Sequence, residues 1–109
     1  MTGTDFPSID EANFESQVAA RQGLTLLDFW NQGCVPCKQL SRVLTELAPT
    51  LPQGVVIATV DAAANPGLAQ RFAVRSVPTL VFLKDGAVVD TRTGVDRKQV
   101  LKKIVETHA

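Results

Sequence analysis

The chain has 109 residues, 45% of them hydrophobic, and its eleven basic side chains balance eleven acidic ones. That length and apolar content suit one compact α/β domain, residues 1–109, whose core needs no disulfide framework. A formal net charge of zero leaves no global field to draw in nucleic acid or an anionic lipid surface.

At the N-terminus, Met1-Thr2-Gly3-Thr4-Asp5 lacks the basic-then-apolar pattern of a secretory signal. No apolar run approaches the roughly 20 residues that cross a bilayer. The expectation is a soluble cytoplasmic protein, with nothing demanding more than a monomer. Residues 8–21 read as a first helix, with Ser8 or Asp10 as N-cap, Glu11 and Glu15 early, and Ile9, Phe14, Val18 and Ala19 inward. Residues 24–30 are almost continuously apolar, as in a central strand covered on both faces. Residues 34–51 read as a second helix, because Leu40, Val43, Leu44, Leu47 and Leu51 recur at helical spacing and Pro49 and Pro52 bracket its end. The β-branched run 55–60 predicts a second buried strand, and Asn65-Pro66-Gly67 opens a short helix through Phe72. Residues 79–83 and 87–91 are strands joined by Lys84-Asp85-Gly86, whose Asp-Gly pair favours a tight hairpin. Asp96 is expected to cap a last helix with Val100, Leu101, Ile104 and Val105 inward and Lys98, Lys102 and Lys103 solvated. The order α-β-α-β-α-β-β-α predicts a mixed sheet with helices on both faces, ending in an antiparallel hairpin.

Both cysteines lie in Cys34-Val35-Pro36-Cys37, where the first strand gives way to the second helix. A CxxC in that context reads as a redox motif, and such sparing use of cysteine fits a reducing compartment. Cys34 falls at the helix N-cap, where the macrodipole and the unpaired first-turn N–H groups stabilise a thiolate and lower its pKa. Pro36 has no N–H, so the natural donor to the Cys34 sulfur is the Cys37 amide, and its fixed φ suits a first turn. On this geometry Cys34, at the exposed mouth, attacks a substrate disulfide, and Cys37, one turn in, resolves the mixed disulfide. The alternatives are two ordinary half-buried cysteines or half of a zinc site. Zinc would need two more ligands, and the chain has one histidine, His108, at its far end.

Asp28 sits between Leu27 and Phe29 in the most apolar strand. Burial there raises a carboxyl pKa and would let Asp28 take the Cys37 proton, directly or through water; otherwise it is a strand-end aspartate reaching solvent or capping a loop. Within Arg75-Ser76-Val77-Pro78-Thr79, Pro78 is either a simple strand-start residue or a cis-proline that exposes the backbone before it. Against the CxxC, the Val77 backbone would then pair with an extended substrate segment. Trp30 is either core or a wall of the dithiol.

Taken in order, Leu27-Asp28-Phe29-Trp30, Cys34-x-Pro36-Cys37-Lys38, Asn65-Pro66-Gly67, Arg75-Ser76-Val77-Pro78-Thr79-Leu80, Lys84-Asp85-Gly86 and Gly94 resemble the thioredoxin family over roughly residues 6–107. The resemblance implies the thioredoxin fold, a four- to five-stranded mixed sheet flanked by four helices. It also implies Cys34 as nucleophile, Cys37 as resolving thiol, Asp28 as buried proton acceptor and Pro78 as cis-proline. Trp30, Val35, Pro36, Val77, Pro78 and Gly94 would receive the substrate. No bound metal or cofactor is expected beyond the redox-active disulfide Cys34–Cys37, which in the family is usually recharged by thioredoxin reductase with NADPH.

Four positions depart from the family pattern. Val35-Pro36 stands where Gly-Pro is usual, which stiffens the turn and adds bulk beside Cys34. Gly33 replaces a common aromatic and removes a wall of the docking surface. Residues 55–60 lack the lysine often found near the buried aspartate, so Asp28 should protonate more readily. Arg42 replaces a proline that commonly kinks the second helix. These changes suggest a paralogue distinct from the housekeeping form. The leading reading is a protein-disulfide reductase that works by dithiol exchange, in electron transport and cell redox homeostasis. The alternatives are a more oxidising exchanger, or a binding or assembly module that uses the groove around Trp30, Val77 and Gly94.

Overall fold

Strand β1, Leu24–Trp30, is buried along all but its last residue, because sheet neighbours and helical layers cover it on every side. The computed structural model describes residues 6–109; the N-terminal stretch read for a targeting signal lies outside them. β2, Val55–Asp61, pairs with β1 in parallel, and β3, Thr79–Lys84, pairs with its other edge antiparallel. β4, Ala87–Thr93, closes the order β2-β1-β3-β4. A fifth strand is reduced to one parallel bridge, Ser8 to Thr59.

That bridge corrects the first predicted helix. The Ile9 N–H donates to the Thr59 carbonyl at 2.7 Å and the Thr59 N–H to the Pro7 carbonyl at 2.9 Å, so the chain enters extended. Ser8 is therefore no cap; the Asp10 carboxylate accepts from the Ala12 and Asn13 amides, each at 2.9 Å. Helix follows as a short π-helical segment, Glu15–Ala19. Ile9, Phe14 and Val18 are nonetheless all buried, and for that reason their spacing read as one helix.

α1, Val35–Leu47, runs unbroken through Arg42 and tightens into a 3₁₀ turn, Ala48–Thr50, at Pro49. α2 spans Pro66–Arg71 and α3 spans Lys98–His108. With the π-helical segment these make four helices in two layers. Leu27, Phe29, Ala58, Val60 and Val81 pack with Phe14, Val18 and Leu68 on one face of the sheet. Leu24, Leu26, Ile57, Leu80 and Phe82 pack with Leu40, Leu44, Leu47, Leu101 and Val105 on the other. Alternation along β1 puts Asp28 on the same face as Leu24 and Leu26, beneath α1.

Two expectations at the C-terminus fail. Asp96 does not cap α3, because the Arg92 guanidinium takes both its oxygens, Nε to Oδ2 at 2.9 Å and Nη2 to Oδ1 at 3.2 Å. The N-cap is Arg97, with no side-chain cap bond. Val100 is 38% exposed rather than inward, since the buried arc of α3 is carried by Leu101 and Val105.

Candidate active site

β1 ends at Trp30, and Gly33, at φ +75°, turns the chain into α1; that backbone conformation suits a residue without Cβ. Cys34 is the N-cap of α1 in extended conformation, and the Cys37 N–H donates to its Sγ at 3.1 Å. Cys34 and Cys37 form a disulfide, their Cα atoms 5.2 Å apart. The two sulfurs sit in unequal surroundings: Cys34 is half-buried at the helix start, whereas Cys37 is 4% exposed.

Asp28 lies under this pair, flanked in the sheet by Thr59 of β2 and Leu80 of β3. It is 3% exposed, and its Oδ1 has no hydrogen-bond partner among the described residues. Burial pushes its pKa from the ordinary 3.8 up to about 7, because desolvation penalises the carboxylate. Lys38 and Arg42 stand at the same cleft but are exposed, and neither offsets that burial.

A cleft of about 740 Å³ brings together Asp28, Trp30, Cys34 and Cys37, with Gly33, Lys38, Ser41 and Arg42. Trp30 is half-buried and lines this cleft, which makes it a wall of the disulfide. Val35, 64% exposed, and Pro36 project from the first turn of α1 outside the cleft. The Val77–Pro78 peptide bond is cis. Pro78 is buried, and its carbonyl accepts from the Gly94 N–H at 2.9 Å, which ties those two predicted residues together. Val77 lines a separate cleft of about 640 Å³ that shares Asn31 with the first. Ser41, a buried polar side chain four residues after Cys37 and beside the Leu40 and Leu44 stripe, also lines the cleft; the sequence does not single it out.

A disulfide closed across the first turn of a helix, one cysteine half-buried and the other buried, on a cleft shared with a buried carboxyl, is built for thiol–disulfide exchange, and the class is that of the thiol–disulfide oxidoreductases. The family model described as Thioredoxin matches residues 5–107. The chain is 37% identical to a thioredoxin of Staphylococcus saprophyticus over 92% of its own length and 94% of that protein's. It is 40% identical to a thioredoxin of Haemophilus influenzae over 92% and 94%, and 33% identical to thioredoxin 2 of Chlorobaculum tepidum over 99% and 98%. The chain belongs to the thioredoxin family, and it is a thiol–disulfide oxidoreductase that reduces protein disulfides. No helix among the described residues is long and apolar enough to cross a membrane.

Proposed function

We propose that the two cysteines divide the reaction between them, and the observation that carries this is their unequal exposure. The Cys34 thiolate, favoured by the helix N-terminus and the Cys37 amide, attacks one sulfur of a substrate disulfide. A mixed disulfide forms and one substrate thiolate leaves. Asp28 takes the proton of the Cys37 thiol, and the Cys37 thiolate attacks Cys34 Sγ. The internal disulfide closes, the second substrate thiolate leaves, and two electrons have passed from protein to substrate. Trp30, Val35 and Pro36 around Cys34, with the cis-Pro78 segment and Gly94, form the surface that meets the substrate. The Val77 N–H and C=O lie outside the regular strands, in keeping with pairing to an extended substrate segment.

In this reading the whole chain works as one monomeric cytoplasmic domain, and an NADPH-dependent thioredoxin reductase restores the dithiol. The test is a reductase-coupled assay that follows NADPH oxidation with a protein-disulfide substrate, on wild type, Cys34→Ser and Cys37→Ser. Wild type is expected to turn over, Cys34→Ser to lose activity, and Cys37→Ser to accumulate a mixed disulfide through Cys34. Undiminished turnover in Cys34→Ser would refute the assignment of roles.

A further inference from the structure

Two buried side-chain atoms have no hydrogen-bond partner among the described residues, Asp28 Oδ1 and Ser41 Oγ. Their residues line the same cleft beneath the disulfide, Asp28 from β1 and Ser41 from α1. Ser41 follows Cys37 by one helical turn, so the two project from one face of α1, and both are buried. A hydroxyl inside a helix commonly turns back to the carbonyl of the preceding turn. Thr45 does so, donating to the Ser41 carbonyl at 2.8 Å, whereas Ser41 does not. The other hydroxyl of the cleft, on Thr59, donates to the Pro7 carbonyl at 3.4 Å. Ser41 therefore offers a free donor in the space where a buried carboxylate lacks one, and buried polar groups are rarely left so.

We propose that Ser41 is a positioning residue for disulfide exchange: its hydroxyl donates toward the Asp28 carboxylate across one shared water, and holds that carboxylate ready for the Cys37 proton. This rests on the assignment of Asp28 as proton acceptor. A donor to the ionised form favours it, so Ser41 offsets part of the desolvation at Asp28. The other charged or titratable groups at Asp28 all come from α1, the two cysteines with Lys38 and Arg42 at the rim; its β2 and β3 neighbours, Thr59 and Leu80, do not titrate.

The experiment is an NMR titration of the Asp28 carboxyl carbon in the disulfide form, where the cysteines do not titrate, for wild type, Ser41→Ala and Ser41→Thr. Ser41→Ala should raise the Asp28 midpoint by about one pH unit, and Ser41→Thr, which keeps the hydroxyl, should restore it. Collapse of the mixed disulfide should slow about fivefold at pH 7 in Ser41→Ala and recover as pH rises through the new midpoint. Alanine is favourable in a helix, and circular dichroism establishes that the variant is folded. A folded Ser41→Ala protein with an unshifted Asp28 midpoint overturns the proposal. The titration needs no turnover, so it stands apart from the test of Asp28 itself: loss of the pH dependence of mixed-disulfide collapse in Asp28→Asn.

Discussion

Asp28 ties the stability of the fold to pH through its burial. Its pKa is about 7 in the folded chain against an ordinary 3.8, so between those values the folded state holds a proton that the unfolded state has released. The stability this contributes is full below about 3.8 and is lost as pH rises through about 7. At about 1.36 kcal/mol per unit, the whole effect is on the order of 4 kcal/mol. Asp28→Asn should therefore match wild type near pH 4 and exceed it by several kcal/mol at pH 8.5, read as the difference in urea midpoints. Equal differences at the two pH values would mean that the carboxyl is not desolvated. The raised pKa was legible from Leu27 and Phe29 on either side of Asp28. The missing partner was not, since a lone serine in an amphipathic helix gives no sign that it will face an aspartate from a distant strand.

Among the elements, the β3–β4 hairpin shows how far the site is insulated from the rest of the sheet. Asp85 and Gly86 both have positive φ, +52° and +82°, as a two-residue turn matching strand twist requires. The Asp85 carboxylate accepts from the Gly23 N–H at 2.7 Å, which fixes the turn to the start of β1. A Cβ on Gly86 would press on the Ala19 carbonyl oxygen, so Gly86→Ala adds a clash to an unfavourable φ. Such a site costs about 1–3 kcal/mol. The antiparallel register places this turn at the end of the sheet away from Cys34, with Leu24 opposite Lys84 and Phe29 opposite Thr79. Gly86→Ala should lower the urea midpoint and leave the rate of disulfide reduction unchanged; a matching loss of rate would show coupling along β3. The hairpin was legible because Asp-Gly determines its own conformation locally. The first helix and the Asp96 cap were not legible because distant or neighbouring groups decide them: the Thr59 backbone pairs with Pro7 and Ile9, and Arg92 captures the Asp96 carboxylate.

For the molecule as a whole, the reaction requires a shape that survives both states of the cysteines. The disulfide joins residues only three apart in sequence, and the chain-entropy relation assigns a loop that short about 2 kcal/mol. Domains of this size are stable by about 5–15 kcal/mol. The two apolar layers meet across β1 and β3, drawing on every helix and on three of the four strands. Of the two cysteines only Cys37 is fully buried, and it belongs to neither cluster. Reduction therefore removes a local clamp while the packing that positions Asp28, Trp30 and Pro78 persists. The reduced protein should keep its far-ultraviolet circular dichroism and unfold in one transition about 2 kcal/mol less stable than the disulfide form. Urea titrations with and without a reductant measure the difference. A reduced protein without cooperative unfolding would mean that the disulfide, and not the core, holds the fold together.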